Sequence, residues 1–166
     1  MRQTHAMDRL QVSGRVEILQ RFYRLRDRRG RFITPRCIGT AREVRHNLVT
    51  TAGRTYFASL ARASGDDAPV SHYAIGNDAT APAAGQTALV AESYRAVLTR
   101  TKVSNGQLEL TLFLWRTQGN GVTYREGGAF NAASGGTLLA RVTFSDKAKT
   151  NTNTLTVIHT ITLSAS

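Results

Sequence analysis

Residues 47–78, NLVTTAGRTYFASLARASGDDAPVSHYAIGND, join the pattern of one helix to the pattern of one strand. Thr50 or Thr51 can cap the helix, because a threonine hydroxyl accepts hydrogen bonds from the free N–H groups of a first turn. Apolar residues then recur at three- and four-residue steps, which predicts an amphipathic helix over residues 51–63. Residues 70–75 follow a turn and have the composition of a short strand. The rest of the chain can be placed around this helix and strand.

The second half of the chain alternates apolar and polar side chains, which is the pattern of half-buried β-strands. Leucines occupy every second position over residues 108–114, directly after Asn105-Gly106, a pair that favours a tight hairpin turn. The same period of two recurs over residues 138–144 and 155–163. These features predict a mainly β fold, an antiparallel β-sandwich or jelly-roll-like domain with one principal helix and an N-terminal basic arm.

Four polar side chains are placed by this strand pattern. Arg141 falls between buried positions of its strand and is therefore predicted to face solvent. Residues 145–153 are polar and are predicted to form a loop that carries Lys147 and Lys149. His159 falls on the apolar face of the last strand, where a histidine is more often a hydrogen-bonded core residue than a metal ligand.

Positive charge is concentrated at the start of the chain. The first 46 residues contain twelve arginines and four acidic residues, so they carry +8 of the net charge of +11. This imbalance indicates two regions with different electrostatic roles. We predict a basic arm or hairpin over residues 1–46 and a sandwich domain over residues 47–166.

Residues 16–26 of the basic region fit two local structures. Their apolar residues would share one face of a helix. Alternatively, residues 22–26 and 31–34 would pair as a hairpin, because Asp27 and Gly30 bracket a turn of suitable length. The hairpin is the favoured interpretation, with its second strand ending at the proline that follows residue 34.

Motifs for catalysis or metal binding are not recognisable in the sequence. The histidines are not spaced as metal ligands, and neither a nucleophile elbow nor a phosphate-binding loop is present. We therefore predict no enzyme activity, no catalytic residue, no metal and no cofactor. Cys37, the only cysteine, is predicted to be a small buried residue. Glu126, beside Arg125 in a glycine-rich bend, is interpreted as half of a buried or interface salt bridge that fixes the bend, in preference to a catalytic acid.

The arginine-rich segment has three possible interpretations. It can be the basic half of a protein–protein interface, where arginine is enriched. It can bind nucleic-acid phosphates. It can also be a solvated face. Protein contact is the favoured interpretation, because aromatic residues are only sparsely interleaved with the arginines.

Two blocks of the chain resemble a family of bacteriophage proteins. The first comprises NLVTTAGRTYFASLARA (47–63) and VSHYAIGNDATAPAAGQTAL (70–89), and the second is YREGGAFNAASGGTLLARVTFSDKAKTNTNTLTVIHTITLS (124–164). In this order they are similar to the N-terminal attachment domain of tail-collar fibre proteins and related small tail proteins of tailed bacteriophages. The likeness covers about residues 47–166, although Ala129 stands where the family often has leucine.

The resemblance implies a structural role in a virion. The chain would be a multi-copy neck, collar or tail component that is assembled in the host cytoplasm. Its partners would be copies of itself and portal, neck, tail or fibre subunits, with no membrane contact. A head decoration protein is the nearest alternative, and a nucleic-acid-binding protein is the alternative of another class. The predicted interface residues are Phe22, Arg24, Arg26, Arg28, Arg29, Arg31, Phe32, Arg125, Glu126, Lys147 and Lys149.

Overall fold

The computed structural model describes residues 10–60 and 68–165 and confirms a mainly β fold with two antiparallel sheets. The strands are β1 (Leu10–Arg26), β2 (Phe32–His46), β3 (Leu48–Val49), β4 (His72–Gly76), β5 (Glu92–Val97), β6 (Arg100–Ser104), β7 (Gln107–Leu114), β8 (Val122–Phe130), β9 (Leu138–Lys149) and β10 (Asn153–Ala165), and the helix α1 spans Thr51–Leu60. One sheet has the order β2-β1-β10-β7-β6 and the other β3-β9-β8-β4-β5.

The core lies between the two sheets, as expected for a sandwich of strands with apolar inner faces. The first sheet contributes the alternate residues of β7 that the sequence predicted, Leu110, Leu112 and Leu114, and all three are buried. The second sheet contributes Ile75 from β4 and Val142 from β9, among others. The period-two pattern therefore identifies the inner face of the first sheet correctly.

The basic region is part of this sandwich rather than an arm that precedes it. β1 pairs with the C-terminal strand β10 from Leu10↔Ala165 to Phe22↔Asn153, and the side chains of Val16 and Ile18 are fully buried. The boundary predicted at residue 46 therefore does not separate two structural units. The sequence pattern did not reveal this, because among the apolar residues of 11–26 only Val16 and Ile18 are fully buried and Val12 is partly buried against the core.

The predicted hairpin is present but longer than expected. β1 and β2 pair across a turn at Asp27–Arg31, and β2 continues through Pro35 to His46. The proline was expected to end the strand. It does not, because β2 lies at the edge of the sheet, where a residue without an N–H can be accommodated.

The helix begins as predicted. The hydroxyl of Thr50 accepts a hydrogen bond from the N–H of Gly53 at 2.9 Å, which is the geometry of an N-cap. Tyr56 is the main buried side chain of α1. Gly53 is buried against the backbone of Leu139 in β9, so the helix approaches the second sheet closely. The last predicted helical positions, residues 61–63, lie outside the described residues.

Residues 145–149 do not form the polar loop that the sequence predicted. β9 continues to Lys149, and the turn to β10 is confined to residues 150–152. Both Lys147 and Lys149 are buried strand residues. The polar composition was misleading because these lysines are surrounded by hydrogen-bond acceptors, which reduce the cost of burying an ammonium group.

Candidate interaction surface

The outer half of the β1–β2 hairpin is largely exposed to solvent. Nearly every residue of β2 is exposed, and both faces of the strand are accessible. Phe32 is 76% exposed and Ile38 is 58% exposed, although both are large apolar side chains. Beyond Phe22, β1 has no partner in β10, so only the hairpin's own strands pair there. We call residues 21–36 the hairpin tip.

The turn of the tip is ordered by one carboxylate. Oδ1 of Asp27 accepts hydrogen bonds from the backbone N–H groups of Arg29 at 2.8 Å and Arg31 at 3.0 Å, while Oδ2 pairs with the Arg31 guanidinium at 2.9 Å. Gly30 has φ +77°, a conformation that glycine adopts without strain. The hydrogen bond from the Arg31 backbone is the largest of the effects that lower the pKa of the Asp27 carboxyl. The single acid of the tip is thus fully engaged.

The inner half of the hairpin pairs most of its charged side chains within the subunit. Arg42 forms a two-pronged pair with Glu17, with Nε–Oε1 and Nη2–Oε2 distances of 2.6 and 2.9 Å. Glu43 accepts hydrogen bonds from Arg45, Ser145 and Lys147. These two carboxylates therefore pair with three cations and tie β2 to β1 and β9.

Glu43 is the polar link between the two sheets at this edge. Partial burial alone would raise the pKa of its carboxyl, but the hydrogen bonds from Lys147, Ser145 and Arg45 outweigh burial and lower the pKa to about 2. Glu43 is consequently ionised at neutral pH. It fixes Lys147, a predicted interface residue, inside the subunit rather than on its surface.

Most arginines of the tip are not paired with an acidic side chain. Residues 21–36 contain seven arginines and one acid. Only Arg31 forms an ion pair with a residue in the described ranges 10–60 and 68–165. Arg24 and Arg36 are direct cross-strand partners, so their side chains lie on the same face of the hairpin. The structure therefore brings the predicted arginines together and adds Arg36 to them.

A hollow of about 420 Å³ lies beside the tip, where the hairpin passes the β9–β10 turn. Its lining residues are Arg24, Leu25, Arg26, Phe32, Asn151 and Thr152. The guanidinium of Arg26 stacks on Phe32 at 3.8 Å from the ring centroid and donates to the carbonyl of Gly30 at 2.6 Å. Arg26 and Phe32 are thus held in place, whereas the guanidinium of Arg24 has no hydrogen-bond partner among the described residues.

Glu126 forms a buried salt bridge, as the sequence predicted, but its partner is Arg141. Both side chains are fully buried, with Arg141 Nε and Nη2 at 2.9 and 2.8 Å from Oε2 of Glu126. The expectation that Arg141 faces solvent is wrong because residues 77–91 cover the outer face of the second sheet. Glu126 accepts the N–H groups of Val90 and Ala91, and Arg141 donates to the carbonyl of Thr80.

The other two predicted residues of this region also have internal roles. Arg125 pairs with Asp146 through Nε–Oδ1 at 2.7 Å on the surface. The Lys149 ammonium is buried and donates to Asn120 Oδ1 and the carbonyl of Thr150. Burial, with a smaller contribution from Arg116, lowers the pKa of Lys149 to about 8. Glu126 and Lys149 therefore cannot form one exposed surface with the hairpin tip.

His159 is a hydrogen-bonded core residue, as predicted. Its Nε2 lies 2.6 Å from Nδ2 of Asn47, and its Nδ1 lies 3.2 Å from the hydroxyl of Tyr73. Burial lowers the pKa of His159 to about 3, so the imidazole is neutral at pH 7. The Asn47 amide can donate to Nε2 while Nδ1–H donates to Tyr73. This arrangement orients the ring for packing between the sheets.

Cys37 is exposed, and the prediction of a buried thiol is wrong. It lies on β2, where neither face of the strand is covered. Among the described residues, no cluster of three His, Cys, Asp or Glu side chains is suited to a metal ion. In the same ranges, no helix is both long enough and apolar enough to span a membrane.

Sequence reasoning also missed several apolar residues of this surface. Ile33, Ile38 and Val44 are exposed on β2 alongside Arg36. The available signal was the mixture of arginines with large apolar and β-branched residues over 32–46, but the hairpin's second strand was expected to end at Pro35. Comparisons of the chain with family models, curated proteins and solved structures give no match.

Proposed function

We propose that the chain is a non-catalytic structural subunit of a tailed-bacteriophage virion, docked in several copies in the neck, collar or tail through its β1–β2 hairpin. The observation that carries the docking role is the hairpin tip, where unpaired arginines and exposed apolar side chains share one projecting ribbon. Interfaces of this composition combine aromatic or aliphatic anchors with forked arginine–carboxylate contacts.

The resemblance to tail-collar attachment domains supports the virion assignment, and the bend that contributes to it has a physical role. Residues 125–130 lie on β8, where Glu126 is bonded to Arg141 and to the backbone of residues 90 and 91. This arrangement fixes the loop over residues 77–91 against the second sheet. A rigid sandwich of this kind can hold the hairpin in a constant orientation in every copy.

The test of this proposal is a shortened hairpin that keeps the core strand. Replacing residues 24–36 with Asn-Gly joins Tyr23 to Cys37, which are cross-strand partners, by a two-residue turn. We expect an unchanged fold, because Val16 and Ile18 are retained, and loss of the subunit from purified particles. A variant with Arg54→Gln and Arg100→Gln controls for reduced charge away from the hairpin. Incorporation of the shortened chain at wild-type copy number would refute docking through the tip.

The position of the subunit in a density map of the intact particle tests the assignment to the neck, collar or tail. Density for the sandwich on the outer surface of the head would instead identify a head decoration protein. If no part of the particle contained density for the sandwich, the virion role would be rejected.

Nucleic-acid binding is the second candidate function, and the shape of the hairpin favours it. A two-stranded β-ribbon fits the DNA major groove, and the tip carries six more positive than negative side chains. The exposed aliphatic side chains of Ile38 and Val44 count against it, because a nucleic acid offers them few apolar contacts other than base faces and thymine methyl groups. Salt-sensitive protection of DNA from nuclease by the isolated chain, lost on shortening the hairpin, would favour this alternative.

A further inference from the structure

The cross-strand pair of Arg24 and Arg36 is an unbalanced feature of the hairpin. Residues directly opposite on an antiparallel pair have side chains about 5 Å apart at Cβ, and like charges there are destabilising. Neither guanidinium meets a carboxylate in residues 10–60 or 68–165. Arg28 and Arg29 add further unpaired charge at the turn. The unpaired positive charge of the tip is therefore suited to binding a carboxylate from another molecule.

The outer edge of β2 offers backbone hydrogen bonds beside this charge. β2 is the terminal strand of its sheet in the described part of the chain, so one side of its backbone is unpaired. Residues 36–42, which precede the contacts of Glu43 with β9, contain no proline, and at about 3.4 Å per residue they present roughly 24 Å of edge. An extended segment of another chain can be added to such an edge as a further strand.

A second copy of the chain is a poor occupant of this edge. Two β2 strands side by side would bring arginine-rich segments together, and the net charge of +11 adds repulsion between whole subunits. Native edge strands use such charges to prevent pairing with themselves. The same charges select a partner of opposite sign.

The apolar residues of β2 favour a protein segment over a nucleic acid. Ile38 and Val44 are exposed along the edge strand, and Phe32 is exposed at the tip. A peptide with alternating side chains can place apolar groups against these positions and carboxylates against the arginines. The phosphate backbone of a nucleic acid can pair with the arginines, but it offers no apolar contact to the aliphatic side chains of β2.

We infer that the free edge of β2 binds an acidic, extended segment of a neighbouring protein as an added strand, with its carboxylates against Arg24 and Arg36. This inference rests on the proposed docking role and specifies its chemistry. One acidic side chain of the segment pairs with the guanidinium of Arg24, which has no partner among the described residues and is free to form a forked pair.

Synthetic peptides provide the first test with the full chain. One twelve-residue peptide alternates glutamate with valine and threonine, and its matched control has glutamine in place of every glutamate. We expect the glutamate peptide to bind at least ten-fold more tightly by fluorescence anisotropy. Equal binding of the two peptides, or no binding of either, would overturn the inference.

Backbone N-methylation distinguishes an added strand from loose charge attraction. The amide groups of an extended peptide point alternately to its two edges, so methylation of alternate residues blocks one edge only. We expect methylation of one edge to abolish binding and methylation of the other to leave it unchanged. Hydrogen exchange should slow at residues 36–42. Equal effects of both methylation patterns, with unchanged exchange in β2, would contradict strand addition.

Two matched double variants test the arginines. Arg24→Gln with Arg36→Gln should weaken glutamate-peptide binding at least ten-fold, whereas Arg54→Gln with Arg100→Gln removes the same charge elsewhere and should not. A DNA duplex that bound more tightly than the glutamate peptide, with the same dependence on Arg24 and Arg36, would replace the inference with nucleic-acid recognition.

The outcome is separable from that of the proposed function. If the chain binds the peptide by one edge but is absent from purified particles, the acidic-strand site is supported and the virion role is rejected. If the chain is present in particles but shows no preference for the glutamate peptide, the virion role is supported and the acidic strand is rejected.

Discussion

The carboxylate of Glu126 and the guanidinium of Arg141 form an ion pair in which both side chains are fully buried, with Nη2 of Arg141 2.8 Å from Oε2 of Glu126. They lie on the neighbouring strands β8 and β9 and hold residues 77–91 over the outer face of the second sheet. Such a pair is costly to separate, because either charge left alone would be buried without compensation.

Replacing Arg141 with methionine should therefore reduce the free energy of unfolding by about 3–5 kcal/mol, since Glu126 would lose its charged partner. Urea denaturation followed by tryptophan fluorescence measures this loss. Arg125→Met is a control, because Arg125 also pairs with a carboxylate but both it and its partner Asp146 lie at the surface. A loss below about 1 kcal/mol for Arg141→Met would contradict the importance of the buried pair.

Acid should destabilise the protein through His159 before most carboxylates are protonated. The pKa of His159 is lowered to about 3 in the folded chain from 6.5, so the unfolded chain binds more protons between these values. Stability should rise with pH in this window, and the His159 contribution should be lost as the pH falls from 6.5, with a slope of up to about 1.4 kcal/mol per pH unit. Denaturation midpoints between pH 7 and 5 test this.

The matched variant for that experiment is His159→Gln, which keeps a hydrogen-bonding side chain without the ionisation. It should flatten the slope between pH 7 and 5. His159→Ala should in addition cost about 1–3 kcal/mol at pH 7, because it removes packing and leaves Asn47 and Tyr73 without their partner. An unchanged pH slope in His159→Gln would assign the acid sensitivity to other groups.

Gly53→Ala should destabilise the fold, although alanine is intrinsically about 1 kcal/mol better than glycine in a helix. A Cβ at residue 53 would lie 2.0 Å from the carbonyl oxygen of Leu139, so α1 would have to move away from β9. We expect a net loss of roughly 1–3 kcal/mol by thermal or urea unfolding. Gly39→Ala, where a Cβ meets no atom within 4 Å, is the control. Stabilisation by Gly53→Ala would show that the helix is not in close contact with β9.

Cys37 should react with a maleimide in the native protein, because its side chain is exposed on β2. Mass spectrometry should find one label per chain without denaturant. Bound glutamate peptide should slow the reaction if the added strand covers β2. Labelling that required unfolding would show that β2 is covered in solution.

Local patterns in the sequence predict the parts of the fold that depend on neighbouring residues. The Thr50 cap, the Asn105-Gly106 turn and the inner leucines of β7 are of this kind, and each is confirmed. Arg141 was assigned to solvent because alternation identifies two faces of a strand but not what covers each face. The covering residues, 77–91, come from a distant part of the chain.

The candidate surface was partly predictable for the same reason. Clustered arginines indicate an interaction surface from composition alone, and the structure places Arg24, Arg28 and Arg29 on one tip. Arg36 and Ile38 were missed because Pro35 was taken as the end of a strand. The edge position that permits the proline depends on the order of strands in the sheet, which the sequence pattern does not give.

β1 is both a core strand and one leg of the projecting hairpin. Thirteen residues of β1, Leu10 to Phe22, are paired with β10, and the same strand continues without interruption into the tip. Inter-strand hydrogen bonds run across the strand direction. A force along the hairpin therefore acts across all of these hydrogen bonds at the same time. It shears them together and does not break them one after another. Force applied at the tip would therefore be resisted by the whole paired length of β1 and passed to β10, the central strand of the first sheet.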